Sequence, residues 1–249
     1  MIKKLFTFWK KKEIPKIKWW STIEGLESVA PIVPAKEYIP DWWKNIRASD
    51  YLSITDKGTV KNCPSFFEFF SNGFVVPLWC DLHLRVTDTE WEYKTPYNKF
   101  TFTSHNNNQF KDFVPPNYKD NIKMVLKPDC PWRVKTPPGW SISQFPMYYH
   151  YNPIFEVLPG NIWSDFHYEI NQQMVIKQTG EFEIKKGTPL AMYIPYERKK
   201  YDYTIDGPNE ENVKLTNTSS LKVLTKFRGG YKNTQAKIRR QEEKKCPFS

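Results

Sequence analysis

The chain has 249 residues, of which 39% are hydrophobic and 16% aromatic, and it carries a formal net charge of +10. That suits one large domain with extensions, supplies ample core, and is too long to need the disulfide staples of small secreted scaffolds. A basic balance favours polyanionic partners, but the excess sits at the ends. Residues 1–20 hold seven Lys and one Glu, the tail after Phe227 is mainly basic, and the middle is near balance, which argues against a broad nucleic-acid face.

Residues 1–20 alternate Lys with Phe, Trp and Ile. Two readings stand. The rings insert into an interface while the ammonium groups meet a polyanion, or the rings pack on the body and the lysines stay solvated. The apolar run LFTFW is too short for a secretory leader, and no segment reaches the ~20 apolar residues that span a bilayer. Residues 30–45 read as a Pro-punctuated connector ending in a helical turn that starts near Asp41 and is anchored by Trp42 and Trp43. Residues 62–73 are the best short helix, with Pro64 in the first turn and Gly73 as terminator.

Residues 74–88 switch to period two. Leu78, Cys80, Leu82, Leu84 and Val86 share one face, and Trp79, Asp81, His83 and Arg85 the other. Residues 90–103 predict a hairpin, with a turn at TPYN. NIKMVLKP and PWRVKTP read as two short strands. Strands follow near 139–146, 154–158, 165–177, 181–185 and 189–195, with turns at Pro159-Gly160-Asn161, Thr179-Gly180 and Lys186-Gly187. Beyond Arg198 the pattern weakens into a polar loop, with SLKVLTKF as one last strand. Pro outnumbers Gly 20 to 10, which disfavours helices and favours strands joined by stiff connectors.

Four cysteines, Cys63, Cys80, Cys130 and Cys246, form no C-x2-C pair, so a reducing compartment is expected. Candidate chemistry concentrates between residues 137 and 198, which contain Ser141, His150, Asp165, His167, Glu169 and Arg198. On a strand, Asp165, His167 and Glu169 would share one face. Asp165 and His167 are then an acid–base pair, or with His83, His105 or His150 the ligands of a divalent metal; otherwise the row faces solvent. Ser141 lacks the G-x-S-x-G elbow, and no phosphate loop of P-loop or dinucleotide type is present. Tyr148, Tyr149, Tyr151, Trp163 and Tyr168 either line a stacking cleft or serve as core and rim. Ser141, Tyr149, His150, Trp163, Tyr168 and Arg198 are the candidate ligand-binding set.

Two resemblances add to this. Residues 158–194 resemble the β-clip pattern of dUTPases and dCTP deaminases. Gly160, Ile162, Ser164, Asp165, Phe166, Glu169 and Ile170 match one hairpin, and Ile184, Gly187, Leu190, Ala191 and Ile194 a following segment. PPGWS stands where that family has a phosphate-binding element. However, Trp163 occupies the place of the carboxylate that positions water, Tyr168 that of a small residue, and Gly139 and Trp140 that of the phosphate-binding Arg. The resemblance therefore implies a fold and a tendency to trimerise rather than dUTP hydrolysis. The fuller chain resembles an uncharacterised family of tailed bacteriophages, cyanophages included, and bacteria. Pro40 to Lys44, Cys63 to Phe66, Pro138 to Ser141 and Gly187 to Ala191 carry that likeness.

The expected architecture is an all-β, β-clip or jelly-roll-like sandwich with one or two short helices and extended basic termini. It divides into an arm (1–45), a β-rich core (46–228) and a basic tail (229–249). The expected role is a phage-encoded, non-catalytic binding or assembly module without a cofactor. It would be homo-oligomeric, with a trimer as one form, and would meet phage structural proteins or a polyanionic surface in the host cytoplasm or the virion. The alternative is a nucleotide- or small-molecule-binding β-clip enzyme using the Asp165/His167 face, with or without a divalent metal.

Overall fold

The computed structural model describes residues 14–47, 59–224, 236–237 and 240. The strongly basic arm before Ile14 and nearly all of the basic tail lie outside the described residues. The fold is all-β, built from three antiparallel sheets with short helices between them.

In chain order the strands are β1 (Lys18–Ser21), β2 (Val33–Pro34), β3 (Phe74–Pro77), β4 (Leu82–Val86), β5 (Trp91–Lys94), β6 (Phe102–His105) and β7 (Met124–Lys135). They continue as β8 (Trp140–Pro146), β9 (Phe155–Val157), β10 (Gly160–Ile162), β11 (Glu169–Asn171), β12 (Met174–Ile176), β13 (Gly180–Ile184) and β14 (Pro189–Glu197). The helices are α1 (Leu26–Val29), α2 (Asp41–Asn45), α3 (Pro64–Ser71), α4 (Pro116–Lys119) and α5 (Glu210–Leu224). That is more helix than the one or two pieces expected: α1 and α4 are single turns in connectors, and α5 is a 15-residue helix after β14.

One sheet runs β1-β7-β12-β9, with β6 and β11 also on β7; a second runs β10-β8-β14-β3-β2; a third is β13-β4-β5. Their inner faces share one core, in which Val76, Leu78, Leu82, Leu84, Leu126, Trp132, Val134, Ile142, Ile176 and Leu190 are buried. By compactness the chain divides into two units, Met1–Asp41 with Phe70–Lys199, and Trp42–Phe69 with Lys200–Ser249. The first unit holds all three sheets. In the second, Trp43 stacks on Phe67 at 6.2 Å. Lys61 lies 4.2 Å from the Trp43 ring and donates to the carbonyls of Trp43 and Lys44 near the end of α2, where a cation suits the free C=O groups.

Several expectations change. Residues 124–135 form one strand, not two. Pro128 ends the rungs to β6 opposite Phe102, and β1 then pairs with the strand's second half. Neighbours on both sides outweigh the missing Pro donors. The 74–88 run splits into β3 and β4, which belong to different sheets, so residues 75–80 are all buried and Trp79 is core rather than polar face. Trp91–Lys94 pairs with β4, while Phe102–His105 pairs with β7, so the two do not form a hairpin together. Gly160 and Asn161, assigned to a turn, begin β10 against β8. Part of the segment after Arg198 is helix α5 rather than loop and strand, because the Asn209 side chain accepts the Asn212 N–H (2.8 Å) and two Glu follow at the start. Among the described residues no helix is long and apolar enough to cross a membrane.

Candidate functional site

Four of the residues singled out from the sequence converge: Ser141, Trp163, Asp165 and Arg198. Their meeting begins with Pro137-Pro138-Gly139-Trp140. Trp140 N–H bonds Pro137 O (3.0 Å) and Gly139 adopts φ +79°, a type II turn in which Pro presets the first corner and Gly alone takes the second without strain. The turn aims Gly139 N–H at Asp165 Oδ2 (3.0 Å) and Gly139 O at Arg198 N–H (2.8 Å). Strand β14 delivers Arg198 to the same point.

Asp165 is not on a strand. It lies in a turn over residues 163–168, closed by His167 N–H donating to Trp163 O (3.0 Å), between β10 and β11. The shared Asp165, His167, Glu169 face therefore does not form. Glu169 pairs with Arg133 (3.7 Å) on β7 instead. Arg198 grips Asp165 with both ends of its guanidinium, at 2.9 Å to Oδ1 and through a second bond to Oδ2. It also donates to Ser141 Oγ (2.7 Å) and Trp140 O (2.9 Å). The same guanidinium lies 4.6 Å from the Trp163 ring, a cation–π contact. The side chains of Asp165 and Arg198 are only 12% and 24% exposed, so the pair is screened little by water.

The electrostatics follow. The Arg198 bonds, seconded by Gly139 N–H, hold the Asp165 carboxyl down at about 2, and Asp165 in turn raises Arg198. Such a carboxylate is a poor proton acceptor at neutral pH. Ser141 is fully buried and accepts a bond from Arg198, so it is no nucleophile. Next to it, Ser164 is buried with its Oγ 2.8 Å from Thr136 Oγ1. Ser164 and Asp165 of the turn thus point in and are satisfied, while His167 is exposed.

The other candidates lie elsewhere. Tyr149 and His150 belong to a loop that lines a separate cleft of about 470 Å³ with Lys177 and Glu156. His150 Nε2 is 2.8 Å from Tyr38 O, and the Tyr149 ring meets Phe70 edge-on at 5.6 Å. Tyr149 and Tyr151 have φ of 68° and 50°, unusual for bulky residues and a sign of a tightly determined loop. Tyr168 is half-buried against Trp20 at 5.6 Å, with Lys135 over its ring at 5.7 Å, so it braces β1 and β7. His83 sits beside Glu183 (3.5 Å) in the third sheet and His105 on β6. Among the described residues no three His, Cys, Asp or Glu side chains gather to hold a metal ion, so the proposed divalent site has no ligand set there.

Of the rings expected to line a stacking cleft, Trp163 does line one, on the outward side of the 163–168 turn, but its companion there is Phe166, which sequence reasoning overlooked, and not Tyr168. Trp163 (54% exposed) and Phe166 (65%) meet edge to face at 5.8 Å over a cleft of about 400 Å³. The only sequence signal was the presence of two rings, Trp163 and Phe166, three residues apart around Ser164-Asp165. Also overlooked was a buried relay beneath the cleft. Gln172 Nε2 donates to Tyr193 OH (2.9 Å), Tyr193 OH donates to Gln144 Oε1 (2.8 Å), and Gln144 Nε2 donates to Leu158 O (2.8 Å).

No family model matches the chain, and a comparison with curated proteins found no similar one.

Proposed function

We propose that this chain is a phage-encoded, non-catalytic β-rich module that works by binding or assembly and not by turnover. The observation that carries the reading is the closed Asp165–Arg198 pair. The carboxylate best placed for chemistry is neutralised, and the neighbouring hydroxyl of Ser141 is buried. Assembly is supported by an exposed stretch in which Tyr201, Tyr203 and Ile205 recur at every second residue with no strand partner among the described residues. Period-two apolar residues on an unpaired segment suit addition to a sheet edge of another copy. The expected state is a homo-oligomer, a trimer by the β-clip resemblance, that docks on phage structural proteins or a polyanionic surface through the basic termini, in the host cytoplasm or the virion.

Light scattering of the purified chain should report an oligomer, and Tyr201→Ser with Tyr203→Ser and Ile205→Ser should shift it toward monomer. Deletion of residues 1–13, which spares β1, should weaken retention on heparin or anionic vesicles and make the retention that remains less sensitive to salt. A monomer whose retention is indifferent to the deletion, or turnover of dUTP or dCTP with Mg²⁺, would sink the proposal.

A further inference from the structure

The turn over residues 163–168 is inverted relative to ordinary folding logic. Water-exposed turns normally present polar atoms and bury rings. Here Ser164 is fully buried and Asp165 nearly so, while Trp163 and Phe166 stand outward. The turn is pinned from beneath by Ser164 on Thr136 and by Asp165 on Arg198 and Gly139. The guanidinium of Arg198 stacks on Trp163, so the exposed indole is held in place before any ligand arrives.

The cleft beside these rings is lined by Asn161, Asn171, Gln173 and His167, over the buried amide of Gln144. Among the described residues, the side chains of Asn171, Gln173 and His167 make no hydrogen bond. A carboxamide offers a donor and an acceptor in one plane, which suits a pair of neighbouring hydroxyls. No Lys, Arg, Asp or Glu lines the cleft, and the guanidinium packed on Trp163 is engaged by Asp165. The ligand chemistry this selects is neutral, rich in hydroxyls, and flat and apolar on one face. A pyranose ring has these properties, because its axial C–H bonds form a weakly positive face that stacks on the electron-rich face of an aromatic ring. A phosphorylated nucleotide is disfavoured, since its charge would meet no cation.

We infer that the cleft between Trp163, Phe166 and the Asn161, Asn171 and Gln173 carboxamides is a binding site for a neutral oligosaccharide. The site rests on the non-catalytic reading only in that the sugar leaves unchanged. It does not depend on the basic termini or on oligomer number.

The test titrates the full chain with maltotriose, cellotriose and chitotriose, with uridine and adenosine in parallel, by calorimetry and by intrinsic tryptophan fluorescence. At least one trisaccharide should bind saturably. Trp163→Ala should weaken binding by about 10-fold or more, Phe166→Ala and Asn171→Ala should each weaken it several-fold, and Trp163→Phe should retain most of it. Tyr97→Ala, an exposed ring elsewhere, should change nothing. Circular dichroism checks that each variant folds; because Trp163 and Phe166 are exposed, their removal leaves the core intact. Absence of saturable sugar binding up to about 10 mM overturns the inference, as do sugar binding indifferent to Trp163→Ala and binding of nucleosides in place of sugars. Hydrolysis of a bound sugar would overturn the non-catalytic reading and leave the site standing. Loss of the oligomer expectation alone would leave the site untouched.

Discussion

The buried relay under the cleft makes a quantitative prediction for Tyr193→Phe. Tyr193 is fully buried, its OH accepts from Gln172 and donates to Gln144, and burial pushes its pKa well up. Removing one oxygen leaves Gln172 Nε2 without an acceptor and Gln144 Oε1 without a donor, both in residues at most 2% exposed. An unsatisfied buried polar group costs about 1–3 kcal/mol, and the ring itself still packs, so the loss should be about 2–4 kcal/mol. For a chain of this size that lowers the melting temperature by about 5–15 °C. Urea unfolding measures the free energy directly. A second variant, Gln144→Leu, removes the acceptor as well. In the double variant the two costs should fall short of their sum by about 1 kcal/mol or more, because each single change already breaks the shared bond. Additive costs, or a Tyr193→Phe loss below about 0.5 kcal/mol, would refute the relay as drawn.

Three further outcomes follow from the site and the fold. Asp165 has a depressed folded pKa, about 2 against an ordinary 3.8, so the stability it lends is complete above about pH 4 and falls away as pH drops toward 2. Acid unfolding of Asp165→Asn should show a flatter limb in that window, and an unchanged limb counts against the pair. Gly73→Ala should cost more than Gly139→Ala, though both glycines have φ near +80°. An added Cβ at Gly73 would lie 2.2 Å from Tyr193 O, whereas at Gly139 it meets open space, so equal melting temperatures would count against the close approach. Cys80 and Cys130 are buried with thiols pushed up to about 12, so neither should react with iodoacetamide at pH 8 until the chain unfolds.

How much the sequence revealed depended on whether the deciding forces were local. Period-two spacing identified Leu82, Leu84 and Val86 as inward and His83 and Arg85 as outward, and β4 follows that alternation. Asp41, Pro64 and Gly73 marked α2 and α3 because helix ends are decided by a few neighbouring residues. Strand β7 was hidden because Pro128 and Pro131 read as breaks, while the four strands that pair with it come from residues 18–21, 102–105, 169–171 and 174–176. Partner choice for β5 and β6 was equally non-local: adjacency suggested a hairpin, and each found a better-matched strand elsewhere. Helix α5 escaped notice because its polar sequence lacks an apolar stripe, although Asn209 before two Glu was a readable start.

Asp165 shows why the site was half legible. Residue type marked it as reactive, and the assumed strand gave it His167 and Glu169 as companions on one face. The turn removed both companions, and Arg198, 33 residues further on, became its partner. A carboxylate that accepts two guanidinium N–H groups and a backbone N–H has little basicity left, so its contribution is positional. It holds the turn down, and with the turn held down Trp163 and Phe166 are held up. In the sequence Trp163 looked like the loss of a catalytic acid. In the structure the same indole rests on the guanidinium that neutralises Asp165, so the features that argue against chemistry at this turn also build its aromatic face.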